Sequence, residues 1–174
     1  MSAPAEQPLF PQPPTRAQLA VRSLREGDML DLLTKRYDQQ YGNGFRYAVA
    51  RHVRSHAGFD ARRTADFVAM DLWPSKGCAL HGHEVKVSRS DWLTELKHPE
   101  KAAEFVPYMD YWWLVVSDET YVKPGELPDG WGLMAVRAGR LVVVRQAVKR
   151  EPLLMDRSRL AALLRAVTKT AGAA

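Results

Sequence analysis

Residues 64–87 read TADFVAMDLWPSKGCALHGHEVKV. Two apolar-rich runs flank Pro74-Ser75-Lys76-Gly77, and a Pro/Gly-punctuated break of that length predicts a hairpin. The first strand covers Thr64–Trp73 and the second Leu80–Val87. With the turn centred on Ser75, paired residues carry numbers summing to about 150, which sets Asp66 directly opposite Glu84. Side chains two apart share a strand face, so Glu84 and Lys86 point one way while Val85 and Val87 point the other. On the first strand Asp66, Val68 and Met70 share a face. Directly opposed residues have Cβ atoms roughly 5 Å apart, and two carboxylates that close repel unless positive charge lies between them. A divalent cation meets that need, with Lys86 one pleat further along. Asp71 is a competing acid, but its odd spacing from Asp66 turns it to the opposite face, and Asp66 is preferred.

Working outward, a helix is predicted from about Glu26 to Gln40. Its apolar stripe is Met29, Leu30, Leu32, Leu33 and Tyr37, and Gly42-Asn43-Gly44 stops it. Phe45, Tyr47, Val49 and Val53 alternate with Arg46, Ala48, Ala50 and His52, a period-two strand. After the hairpin, Ser88 begins a helix with Asp91 in capping-box position and Trp92, Leu93 and Leu96 on its apolar face. Pro99 restarts that helix, which runs to about Phe105. Tyr111–Val116 is almost wholly apolar, as expected of a strand buried on both faces. Strands near Gly132–Arg137 and Leu141–Gln146 form a hairpin around Ala138-Gly139, and a final helix covers about Arg157–Val167. The order predicts a mixed α/β sheet flanked by helices, with an extra C-terminal strand pair and helix.

The chain has 174 residues, 46% of them hydrophobic and 26% charged, as expected of one globular domain spanning about 15–170. Residues 1–14 hold five prolines and little that packs, and are expected to be a disordered tail. Thr15 caps a short helix over Arg16–Ser23. A single cysteine, Cys78, excludes an internal disulfide framework and a cysteine-rich zinc site. No apolar run reaches the roughly 18 residues needed to cross a bilayer, and the start lacks a basic region leading into an apolar stretch. A cytoplasmic protein with no membrane partner is expected. A net charge of +5 weakly favours a polyanionic partner.

Glu84-Val85-Lys86, ending a hairpin that opens with Asp66, resembles the Glu-x-Lys signature of the PD-(D/E)XK, or restriction-endonuclease-like, nuclease superfamily. His83-Glu84-Val85-Lys86-Val87-Ser88-Arg89-Ser90-Asp91-Trp92 is similar to its MmcB-like branch of DNA-repair and phage proteins. So are Tyr111-Trp112-Trp113-Leu114-Val115-Val116 and the run from Glu126-Leu127-Pro128 to Gly130-Trp131-Gly132-Leu133. The resemblance covers roughly residues 26 to 146. It implies an αβββαβ core and Mg²⁺- or Mn²⁺-dependent hydrolysis of DNA phosphodiesters, with Asp66, Glu84 and Lys86 catalytic. It also implies an ion held by Asp66, Glu84 and the Val85 carbonyl. Ala65 stands where the superfamily's name expects proline.

Glu26 or Asp28, from the first helix, and Ser88 or Asp91, at the start of the next, are accessory candidates. Each also reads as an ordinary helix-end group. Arg51, Arg54, Arg62, Arg63, Lys97 and Lys101 are candidate phosphate contacts, with a salt-dependent affinity as the consequence. His81 and His83 lack zinc-site spacing and are assigned to the core or an edge. Trp112 and Trp113 are assigned to the core rather than to base stacking. A DNA-cleaving enzyme leads; a non-cleaving nucleic-acid-binding or protein-interaction module on the same fold is the alternative. Oligomeric state is open, a dimer included.

Overall fold

The computed structural model describes residues 23–42, 44–58 and 63–173. The expected tail, the Thr15-capped helix and Arg62 lie outside them. Helix α1 spans Glu26–Tyr37 and buries Met29, Leu30, Leu33 and Tyr37. It ends three residues before the expected Gln40, because Gln40–Tyr41 (β1) pairs with Gly44–Phe45 (β2) in a two-residue ribbon. The strand expected from Phe45 therefore begins at Tyr47, and β3 covers Tyr47–Arg54. Then follow β4 (Thr64–Asp71), β5 (Leu80–Lys86), α2 (Arg89–Leu96) and α3 (Glu100–Ala103). β6 (Tyr111–Val116), β7 (Gly132–Arg137), β8 (Arg140–Arg145) and α4 (Arg157–Gly172) complete the order. The restarted helix stops at Ala103 and gives way to a 3-10 turn over Val106–Tyr108, with Pro107 inside it.

Six strands form one sheet in the order β3-β4-β5-β6-β7-β8. β3, β4 and β5 are antiparallel, β5, β6 and β7 parallel, and β7 and β8 antiparallel. This is the mixed α/β sheet read from the sequence, with the helix, three strands, helix, strand order at its heart. α1 covers one face, packing with Phe67, Ala69, Val85, Trp113 and Val115. The other face packs Val68, Leu114 and Val116 with Trp92, Ala102, Phe105 and Ala166 from α2, the α3 segment and α4. α4 runs beside β3, where Thr170 Oγ1 accepts the Arg51 N–H at 2.9 Å. No described helix is long and apolar enough to cross a membrane.

Both tryptophans of β6 are core residues, on opposite faces of the sheet. Each lies over a glycine of a neighbouring strand. Trp112 pairs with Gly82 on β5 and Trp113 with Gly132 on β7. A Cβ at either glycine would stand 2.3 Å from the ring over it, so the rings lie flat only because nothing rises beneath them.

Candidate functional site

The hairpin register is the expected one. Phe67 pairs with His83, Val68 with Gly82 and Met70 with Leu80, and Asp66 and Glu84 are the next residues beyond the last pair. At that step the regular ladder stops. Bonded pairs alternate along an antiparallel ladder, so the Val85 N–H would ordinarily seek the carbonyl of Ala65. Instead it donates to Asp66 Oδ2 at 2.7 Å. The alternation of faces breaks here too. Phe67 and Ala69 belong to the core under α1, while Ala65 joins Val68 in the opposite core.

The neighbouring strand breaks at the same rung. Arg51 pairs with Phe67 and Val53 with Ala65, which leaves His52 facing Asp66. His52 has φ of 52°, a left-handed conformation inside an eight-residue strand. It costs a non-glycine residue about 1–2 kcal/mol. Ala50 and Val53 consequently share one core despite their odd spacing. The doubled irregularity turns His52 and Asp66 toward the start of α1. There Glu26, His52 and Asp66 each offer a ligand atom, all within 4.8 Å of one another.

Glu84 and Lys86 share a face, as their spacing requires, and Lys86 Nζ lies 2.5 Å from Glu84 Oε1. The same ammonium reaches Glu95 Oε2 of α2 at 3.1 Å. Burial, together with the Asp66 charge, pushes the Glu84 carboxyl up to about 8 against the opposing pull of Lys86. Asp66 is also raised, chiefly by burial, although the Val85 N–H and Lys86 favour its charged form. Burial works against the Lys86 ammonium, but Glu84 and Glu95 outweigh it and hold its pKa above the usual lysine range. Lys86 is therefore a permanent cation and a hydrogen-bond donor, not a base.

Glu26, of the first-helix pair, joins this group; Asp28 instead accepts the Arg25 N–H at 2.8 Å and caps α1. Ser88 caps α2 by accepting the Asp91 N–H at 3.1 Å, and the Asp91 side chain is exposed. Asp71 lies at the other end of β4. It accepts Arg46 N–H groups at 2.8 and 3.2 Å and the Trp73 N–H at 3.1 Å. Burial would raise its carboxyl, but these donors hold it below the usual value.

The basic candidates divide. Arg51 is tied to Asp31 and Thr34 of α1, and Arg63 stands 3.8 and 3.9 Å from Glu100 and Glu104. Lys101 Nζ is 3.8 Å from Glu95 Oε2. Arg54 and Lys97 are exposed. His83 is wholly buried, its Nδ1–H donating to the Phe67 carbonyl at 3.2 Å and its Nε2 accepting from the Tyr37 hydroxyl at 2.9 Å. His81 stacks on Tyr111 with ring centres 4.7 Å apart. Burial pushes His83 down to about 3 and His81 to about 4, so both imidazoles are neutral parts of an aromatic cluster.

Sequence reasoning missed His52 and Glu95. His52 faces Asp66 by the β3–β4 register, which no turn signal fixes in advance. Glu95 did leave a signal: positions 92, 95, 96 and 99 are one helical stripe, and a carboxylate stands among its apolar residues.

Comparison by sequence finds no matching family model and no similar curated protein. Comparison of structures finds likeness to the SPO1766 protein of unknown function from Silicibacter pomeroyi. That chain is 20% identical, with a TM-score of 0.55 over 86% of this chain and 88% of that one. The likeness is one of fold.

Proposed function

We propose that the chain is a Mg²⁺- or Mn²⁺-dependent nuclease hydrolysing DNA phosphodiester bonds. The observation that carries the reading is the Asp66 carboxylate held on the Val85 N–H between Glu84 and Lys86, with both carboxyls raised beside a lysine kept charged. Four carboxylates (Glu26, Asp66, Glu84 and Glu95) stand around the Lys86 ammonium and the half-exposed His52. That gathering of carboxyl groups, one of them holding a proton a cation could replace, suits a hard cation, which takes oxygen ligands from one or two carboxylates plus substrate phosphate. Asp66, Glu84 and the Val85 carbonyl are the ligands proposed, with Glu26 and His52 beside them. A bound ion neutralises phosphate charge and lowers the pKa of a bound water. The residues of the chain do the rest. Lys86 offers a charge-assisted hydrogen bond to an oxygen that gains charge, and the carboxylates orient water.

Single-stranded, duplex and branched DNA, incubated with Mg²⁺, Mn²⁺ or chelator, test the reading. Wild type is expected to cut at least one of them only with the ion, and Glu84→Gln none. Binding without cleavage in either ion would sink the enzyme reading and favour a non-cleaving DNA-binding module.

A pH experiment probes the same site without substrate. The Glu84 carboxyl sits at about 8 in the folded chain against an ordinary 4.5, so the folded state holds the extra proton in between. That contribution to stability is complete below about 4.5 and is lost as pH rises toward about 8. Metal-free wild type is therefore expected to lose melting temperature from pH 5 to 8 more steeply than Glu84→Gln, roughly the range between the two pKa values. Parallel curves would contradict it. Ion affinity should rise over the same interval, as the ion displaces the proton.

A further inference from the structure

Glu95 is a carboxylate where helix periodicity calls for an apolar side chain. Its residue is only 5% exposed, and it lies on α2 beside Trp92 and Leu96. One oxygen, Oε2, meets Lys86 Nζ at 3.1 Å and Lys101 Nζ at 3.8 Å. The other, Oε1, is buried and has no hydrogen-bond partner among the described residues. Burying a carboxyl group with half its acceptor capacity unused costs stability, and an apolar residue of similar volume would avoid that cost.

The position of Lys86 supplies the reason. Its ammonium rests between two carboxylates, Glu84 Oε1 on its own strand and Glu95 Oε2 on the helix above. Under the nuclease reading Glu84 is an ion ligand, and a carboxylate that re-aims its oxygens or gives its electron density to an ion holds the lysine less firmly. A lysine ammonium on a four-carbon stem has no fixed direction of its own. A second anchor then keeps it in place.

We propose that Glu95 is the positioning residue that holds Lys86 at the site when Glu84 turns to the metal ion. It touches neither ion nor substrate, and its hydrogen-bonding contact with the site is made through the lysine. The proposal rests on the nuclease reading, and its test separates the two.

The first arm needs no catalysis. Folded wild type and Glu95→Gln are acetylated at fixed pH with and without Ca²⁺, and Lys86 labelling is followed by mass spectrometry. In wild type, Lys86 should stay protected in both conditions. In Glu95→Gln it should stay protected without the ion and label about 10-fold faster with it, the opening that loss of one hydrogen bond to a charged group permits. Equal Lys86 labelling of the two proteins in Ca²⁺ overturns the proposal. The glutamine variant keeps the shape beside the apolar cleft of about 220 Å³ that Glu95 lines with Trp92 and Trp131. If it fails to fold, Glu95→Asp, which keeps the charge but shortens the reach, replaces it and should label at an intermediate rate.

The second arm is kinetic. Glu95→Gln should lower kcat in wild type, leave DNA affinity unchanged, and cost nothing further in a Lys86→Ala background. Losses that multiply would show that Glu95 does not act through the lysine. Wild type that binds Ca²⁺ and shows the labelling pattern, yet cuts no DNA, would remove the nuclease reading and leave the positioning contact standing.

Discussion

Replacing Lys86 by alanine is expected to cut metal-dependent cleavage about 10²-fold or more, the loss typical of one positioned transition-state donor. DNA affinity should change little, because a single ammonium contributes little beside the other phosphate contacts of a DNA-binding surface, but the melting temperature should fall, because Glu84 and Glu95 lose the cation buried between them. The lysine is held charged by Glu84 and Glu95, so its removal takes away a donor and not a proton acceptor. Asp66→Ala and Glu84→Ala should go further and abolish both cleavage and ion binding. Above about pH 8, where the carboxyl is ionised, Glu84→Ala should also raise the melting temperature of the metal-free protein, since it removes a buried charge that Asp66 and Glu95 repel. Single-turnover rates and calorimetric titration with Mn²⁺ check these outcomes. Equal residual cleavage by wild type and Lys86→Ala, in Mg²⁺ and in Mn²⁺ alike, would mark a contaminating activity.

A large effect on stability is expected at Gly82. An alanine Cβ there would stand 2.3 Å from Cε3 and Cζ3 of Trp112 and 3.1 Å from Met109 Cγ. Trp112 has no exposed surface, so its ring has nowhere to go. Overpacking of a closed core costs typically 1–3 kcal/mol, and Gly82→Ala should reach about 3 kcal/mol or more. For a chain of this size that is a fall in Tm of roughly 6–12 °C. Gly27→Ala makes the same chemical change in α1 with nothing within 4 Å of the new methyl group. It should raise stability by roughly 0.5–1 kcal/mol, since alanine is the better helix former. Melting curves of the two variants give opposite signs if the glycine-to-tryptophan contact is what matters. Similar losses in both would refute it.

The hairpin was legible in the sequence because its turn is short. Pro74 and Gly77 fix where the chain reverses, and strand geometry then places every pair from Phe67–His83 to Met70–Leu80. Glu84 and Lys86 on one face follow from spacing alone, as does the buried β6 from its unbroken apolar run. His52 was not legible. Ala50, Arg51, His52 and Val53 read as a regular strand, and nothing in those four letters announces a positive φ or a change of face. The loop joining β3 to β4 is too long for its length to set their register. Glu95 was half legible, as a carboxylate on an apolar stripe. Its partner lies nine residues away on another element, which helix periodicity cannot reveal. The glycines under the tryptophans were visible as letters, but their use depends on which strands become neighbours.

α4 has a consequence for life at high concentration. A sheet's outermost strand offers a row of unpaired backbone groups to any other strand it meets, including one from another copy of the chain. Along β3 that row is met by α4, where Thr170 Oγ1 takes the Arg51 N–H, and just past the strand's end Ser158 receives the Ala57 N–H through its carbonyl and its hydroxyl, both at 3.1 Å. The last sixteen-residue helix thus works as a guard against sheet-to-sheet growth. Cutting the chain before Arg157 would leave the rungs that carry Asp66 and Glu84 in place. It would also turn β3 into an adhesive border, so such a fragment would leave solution as fibrils or precipitate before its chemistry could be assayed.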